Sequence, residues 1–433
     1  MARSNASGGP ASRGRTAVEA VVEANSGVPL SPRVAARATW ALVALRIGYA
    51  YNWFDVGPAL PSIGTTYAVG PAQWGVLVAA FLVGAGLLQV PAGLLARRYG
   101  ARSVSLAGVG LLSVSAAACG AAPSFDVLFA LRLVAGVGAA LFFSPAIGLV
   151  ASLYPPGRRG IPVGTFSSAF SAGAALGIVG TALLIPPIGW QLSLVVGGVA
   201  LGITTIVSLA LVPAAAGAAP PVTAARHPGI PAGLRYRGVW AIGIAFVGFE
   251  GATFATGQFV VPWGEAVEGW SIALAGAVGM MFVLPSVFGG PVGGRVAEQH
   301  RNHRTQFLVV TLIAGAVLAL LPWAGLAVAV MIGTVFSFAY GFVYAVMYVI
   351  PHFWREVPTD EIPLAIGLFN SIQLAGGAGV SALFGVIVAA RSYALAWEVL
   401  VLLTLATLGA LVALPATPDA SVGPPSSAGS SRP

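Results

Sequence analysis

Apolar residues run along this chain in long stretches, and short loops between them hold nearly all the charge. Twelve stretches approach the roughly 20 residues that an α-helix needs to cross the hydrocarbon of a bilayer. They are predicted at 38–61, 73–95, 103–122, 126–153, 162–185 and 190–213, then at 238–262, 271–294, 305–321, 324–350, 363–389 and 393–415. The widest gap, 214–237, is rich in Ala, Pro and Gly and contains Arg226, Arg235 and Arg237. It separates two sets of six. The pattern predicts an all-α integral membrane protein, with six-helix bundles at 37–213 and 237–415 joined by a linker at 214–236. Residues 1–36 and 416–433 have no apolar run, and their composition predicts disordered tails.

The two sets of six read as copies. The second span ends around Pro91-Ala-Gly93, followed by Arg97 and Arg98; the eighth ends around Pro291-Val-Gly293, followed by Arg295 and Glu298. Gly164, Phe166, Ser168, Ala172, Gly173 and Ala175 reappear 203 positions later as Gly367, Phe369, Ser371, Ala375, Gly376 and Ala378. A duplicated membrane unit is the usual outline of a secondary transporter.

Composition narrows the classes. Hydrophobic residues make up 57% of the 433 and charged residues 8%, against roughly a quarter charged in a soluble domain. All 21 basic residues are Arg. Without Lys there is no P-loop lysine and no Schiff-base lysine, which excludes a pump driven by its own P-loop. The single Cys119 rules out internal disulfides. No metal or other cofactor is expected, and no nucleophile–base constellation points to an enzyme. The net charge of +8 is spread over loops rather than gathered on a soluble unit, so nucleic acid is not an expected partner. The expected partners are the lipid bilayer, a small-molecule substrate and protons, with the chain acting as a monomer. Eighteen Arg fall in tails and loops on one side of the predicted spans, and only Arg391 falls on the other, beside Glu265 and Glu268. The positive-inside rule then places both termini in the cytoplasm and the chain in the plasma membrane.

Several motifs resemble those of the major facilitator superfamily over about 38–415. The loop with Gly93, Leu95, Ala96, Arg98, Tyr99, Gly100 and Arg102 is similar to that family's Gly-x-Leu-Ala-Asp-Arg-x-Gly-Arg-Lys signature. Arg132, Gly136, Gly138 and Ala140 are similar to its Arg-x-x-x-Gly-x-Gly-x-Ala helix. Phe54-Asp55 with Pro58 and Pro61 looks like the end of its first helix. The resemblance implies two bundles that rock about a midplane site and a charged latch on the cytoplasmic side. Arg97 stands where the family has Asp, so the latch is expected with reversed sign: Arg97 or Arg98 against Asp360 or Glu361, and Glu298 against Arg158 or Arg159. Solvated loop charges are the plainer alternative.

Ionisable groups inside spans are costly unless paired or hydrated, and so mark candidate sites. Arg46, Asp55, Arg132 and Glu250 are the four. Glu250, with Thr253 and Gly257 on its face, is the first candidate for proton coupling and Asp55 the second; a structural carboxyl is the alternative for both. Arg46 lies nine residues before Asp55, on the other side of the helix, and offers a fixed cation to an anion. Tyr340 and Tyr344 continue to Tyr348 at four-residue spacing as a hydroxyl stripe or a packing ridge. Asn52, Gln89, Arg132, Gln258, Asn370 and Gln373 complete the candidate substrate contacts, or else join helices. The expected function is proton-coupled transport of a small organic or inorganic anion by alternating access. Proton-driven efflux of hydrophobic or cationic compounds is the alternative.

Overall fold

A computed structural model describes residues 31–155, 157–214, 216–217, 232–300, 302–354, 357 and 361–414. Among the described residues, all regular structure is helical. Among those residues, nine helices are long and apolar enough to cross a membrane. One of these, the 52-residue Gly160–Leu211, contains two passes. Pro186 and Pro187 weaken its hydrogen-bond ladder, and Gly189 takes φ +76°, a conformation open to glycine. Residues 47–51 run alongside 173–177 in the same direction, whereas 48 and 51 meet 201 and 197 in the opposite one, so the chain reverses at this turn. Two further passes are helix pairs with short interruptions, one at Asp55 and one at Leu88.

The passes are α1 (Pro32–Phe54 continued by Val56–Tyr67), α2 (Pro71–Leu87 continued by Gln89–Tyr99), α3 (Ala101–Cys119) and α4 (Phe125–Ser152), then α5 (160–188) and α6 (190–211). The second half has α7 (Arg237–Ala266), α8 (Ile272–Gln299), α9 (His303–Trp323), α10 (Leu326–Phe353), α11 (Ile362–Ala390) and α12 (Tyr393–Ala413). Serine side chains at Ser31, Ser124, Ser271 and Ser392 accept from the first-turn N–H groups of α1, α4, α8 and α12. Pro32 follows Ser31 at the first helical position, so α1 begins inside the segment expected to be a tail. Residues 1–30 and the second tail lie outside the described residues.

Both halves are built round the same helix crossing. A Cβ on Gly84 would collide with the backbone of Leu133 on α4, and one on Gly136 with the backbone of Phe81 on α2. In the second half Gly289 meets Phe338 and Gly341 meets Ser286, each residue 205 positions after its counterpart. Two helices touch here backbone to backbone, which only glycine permits. This register shifts the repeat read from the loops. Pro91 and Gly93 lie further past the crossing than Pro291 and Gly293, because α2 bends by 44° at Leu88 and continues to Tyr99. The two charged loops are therefore equivalent in kind but not residue for residue.

Between the halves, packing is tight toward the face that holds Glu265 and Arg391. There Phe54 stacks on Phe254 at 5.4 Å and Gln258 Nε2 donates to the Trp53 carbonyl at 2.7 Å. Gly75 and Gly385 let α2 and α11 meet at backbone distance. Near mid-depth the Ser171 and Ser286 hydroxyls bond at 2.6 Å, joining α5 to the break in α8. Toward the face that holds Arg97, Arg98, Arg158, Arg159 and Arg295, the basic face, a Cβ on Gly93 or Gly164 would meet nothing within 4 Å. The halves are thus closed on the first face, while on the basic face contact between them continues through α2 and α11, where a Cβ on Gly367 would lie 3.5 Å from Val90.

Gly136→Ala should lower the thermal stability of the purified protein in detergent, by about 1–3 kcal/mol as for an overpacked core. Gly148→Ala, where a Cβ meets nothing within 4 Å, should leave stability unchanged or raise it. Equal melting temperatures for the two variants would show that the crossing tolerates a methyl group.

Candidate functional site

Four buried side chains with formal charge lie inside the passes of the described structure: Arg46, Asp55, Arg132 and Glu250. Two of them satisfy each other. Arg132 Nη1 on α4 lies 3.3 Å from Asp55 Oδ1 and donates to the Asn52 carbonyl at 3.0 Å. The Phe81 ring covers the guanidinium at 4.5 Å. Both partners are about 1% exposed, so the pair is sealed and electrically neutral.

Arg46 has no such partner. The α1 helix turns it away from Asp55 and into a box of four rings. Its guanidinium carbon lies 4.3 Å from the ring centre of Phe143, 4.6 Å from Tyr49, 4.7 Å from Phe170 and 5.5 Å from Phe166. The rings offset part of the cost of burying the cation. They leave its N–H groups unsatisfied: Nε and Nη1 are buried without a hydrogen-bond partner. Nε of Arg132 also lacks a partner, but among the described residues the buried Arg132 has a carboxylate beside it and Arg46 has none.

Glu250 faces a different environment on α7. Tyr340 on α10 donates to its Oε2 at 2.8 Å. One turn on, the hydroxyls of Tyr344 and Tyr348 lie 3.0 Å apart, and Tyr348 donates to Asn370 Oδ1 on α11 at 2.7 Å. Gln373 Nε2 donates to the same oxygen. The stripe therefore holds two hydrogen-bonded clusters, Tyr340 with Glu250 and Tyr344 with Tyr348, Asn370 and Gln373, and all three tyrosines are only partly buried. Arg46 and Glu250 do not touch. Tyr344 lies within electrostatic reach of both, and so does Tyr348.

Other sequence candidates have different places. Asn52 points into its own half, where Nδ2 donates to the Gly48 carbonyl at 2.8 Å and to that of Gly197 at 3.4 Å. Gln258 belongs to the closed face, through its bond to Trp53. Gln89 is buried at the break in α2. Of the expected latch, Arg97, Arg98, Arg158, Arg159 and Glu298 are exposed, and Arg159 Nε donates to the Tyr154 carbonyl at 2.9 Å. Gly100 takes φ +86° at the α2–α3 turn. Arg102 stays in its own half, donating to the Val212 and Leu209 carbonyls at the end of α6. Glu361 stands at the N-cap position of α11, and Asp360 lies outside the described residues. The sequence reading missed the ring box. Its signal was the pair Phe166 and Phe170, one turn apart on α5, with Tyr49 three residues after Arg46.

Comparison with known proteins agrees with this architecture. Multidrug resistance protein Stp of Mycobacterium tuberculosis (strain CDC 1551 / Oshkosh) is 33% identical over 156 residues, 35% of this chain and 29% of that protein. Niacin transporter NiaP of Acinetobacter baylyi is 29% identical over 156 residues, 35% of this chain and 35% of that protein. The chain thus spans about a third of the length of these relatives. A crystal structure of a bacterial homolog to the human lysosomal transporter Spinster, in an inward-facing and unoccupied conformation, superimposes with a TM-score of 0.68. It is 19% identical and covers 88% of this chain and 96% of that one, a likeness of fold. A profile of the Major Facilitator Superfamily matches residues 42–378, a range that takes in both halves of the crossing, the ring box and Glu250. The chain belongs to the Major Facilitator Superfamily.

Proposed function

We propose that this chain is a proton-coupled secondary transporter of a small anion, working by alternating access in the plasma membrane with its basic face in the cytoplasm. The observation that carries the reading is Arg46, a buried cation whose Nε and Nη1 have no partner, on the opposite side of its helix from Asp55, which pairs with Arg132. The substrate's acceptor atoms would complete Arg46, and the half-buried rings of Phe143, Phe170, Tyr344 and Tyr348 would face its body. Glu250 would carry the proton, and Asp55 would hold α1 and α4 together. Tyr340 supports the assignment of Glu250, since a hydroxyl can donate to the ionised carboxylate and accept from the protonated one. Neighbouring NiaP is named for a small solute, in keeping with this reading.

Efflux of hydrophobic compounds has one observation in its favour, the match to a protein named for multidrug resistance. In that reading Arg46 has no task. The latch of Arg97 and Arg98 against Asp360 and Glu361 would close the basic face when the halves rock.

Three outcomes are expected. In proteoliposomes, Arg46→Gln should weaken anion binding roughly ten- to hundredfold, the value of a charge-assisted hydrogen bond in a dry site; undiminished binding removes the basis of the anion reading. Glu250→Gln should abolish uphill accumulation driven by a proton gradient while sparing exchange, and retention of uphill uptake would take the proton away from Glu250. In a background where Cys119 is replaced by Ser, a cysteine at position 391 should react with a membrane-impermeant maleimide in intact cells, and one at position 97 should not. The reverse labelling pattern would invert the topology.

A further inference from the structure

The interior charges of this protein form a closed set. Among the described residues, Asp55 and Arg132 cancel at 3.3 Å, which leaves one cation, Arg46, and one carboxylate, Glu250. The titratable groups facing Glu250 are Tyr340, Tyr344 and Tyr348 from α10; α11 presents Gly377 and α12 approaches α7 near Gly248 through Thr404 and Thr407. None of these adds a charge near neutral pH.

Consider the loading states of this set. Empty, with Glu250 ionised, the interior sums to zero. With one proton on the Glu250 carboxylate and one monovalent anion on the Arg46 N–H groups, it again sums to zero. With the proton alone it is +1, and with the anion alone it is −1. An uncompensated charge in a low-dielectric interior is far costlier than a compensated pair. The halves therefore exchange faces with ease only when the site is empty or doubly loaded. A divalent anion would leave the doubly loaded state at −1, and a cation would leave it at +2.

Building on the anion reading proposed above, we infer that the transporter moves one proton with one monovalent anion, electroneutrally, and that the anion has an apolar body. The ring box supplies the last term. Phe143, Phe166 and Phe170 bring donor-free rings to 4.3–5.5 Å from the cation, and the Tyr49 hydroxyl is the polar atom of the box, so most of the surface beside the bound charge is apolar. Symport follows from the geometry. Proton and substrate bind to different residues on different halves, Glu250 on α7 and Arg46 on α1, so neither displaces the other.

The test uses the full chain in proteoliposomes, with potassium and valinomycin setting the membrane potential and a trapped pH dye reporting the interior. Benzenesulfonate is the first probe, because it is flat, apolar in body and anionic at every working pH. Benzoate and cyclohexanecarboxylate extend the set, with phthalate as the divalent control and benzamide as the neutral one. Uptake of a monovalent probe should follow an inward proton gradient with one proton per anion. Its accumulation should stay the same, within a factor of about two, when the potential is stepped by 100 mV. If one net charge moved per cycle, that step would change accumulation about fiftyfold, and such a response overturns the electroneutral scheme while leaving the anion reading intact. Equal uptake of phthalate overturns the restriction to monovalent anions. In Glu250→Gln the empty interior carries +1 and the anion-loaded interior carries zero, so residual probe entry should become sensitive to potential; insensitivity there counts against the charge set. If no anion of the set is bound or moved by the wild-type protein, the anion reading itself falls, and this inference with it.

Discussion

The bond between Arg132 and Asp55 governs how everything else in the interior is read. It ties α4 to α1 at the interruption beside Phe54 and gives the Asn52 carbonyl a donor. It also removes one cation and one anion from the electrostatics of the site. A bilayer solvates no stray charge, so each ion within it must have a partner, a hydrated space or a task. With Asp55 engaged, Arg46 is left with rings on four sides and two empty N–H groups. Glu250 is left with a tyrosine. Breaking the Arg132–Asp55 pair from either side would strand the other member in a dry core, a loss of the kind that destabilises strongly.

Much of this architecture was legible in the chain because the bilayer simplifies the code. Apolar length alone marks a pass, and the twelve predicted spans overlap the twelve passes from α1 to α12. Where the reading slipped, geometry explains it. The repeat at Pro91 and Pro291 pairs positions at different distances from the helix crossing, since the bend at Leu88 and the extra turn to Tyr99 lie beyond the reach of a pattern match. The crossing glycines, Gly84 with Gly136 and Gly289 with Gly341, share a register only visible once the helices touch. The four interior ions were found from their cost, but not which two would pair. Asp55 and Arg132 are far apart in sequence, and either could have chosen another partner. Asn52 shares a helical face with Asp55 by spacing, yet its amide serves Gly197 on α6.

The tyrosine stripe shows how a periodic signal acquires meaning from its neighbours. Spacing of four places Tyr340, Tyr344 and Tyr348 on one face of α10, and the same spacing would suit a packing ridge. Both functions are present. The rings lie 5.7 Å and 4.7 Å apart and pack on Phe246 and Phe369, while the hydroxyls bond Glu250, one another and Asn370. The aromatic bodies set the positions of the polar tips, which place one hydrogen-bonded cluster beside α7 and another beside α11.

In the proposed rocking motion, the Ser171–Ser286 contact would serve as the fulcrum. From Ser286 to the end of α8 at Gln299 is about 20 Å of helix at 1.5 Å per residue. A rotation of about 15° about that contact, comparable to known interdomain rotations, carries the end of the arm through about 5 Å. Because the contact lies between the two faces, the same turn separates the Phe54–Phe254 stack on the far side as it draws the basic ends together. In that motion the protein would be a balance beam, and a mutation that loosens one end would be felt, with opposite sign, at the other.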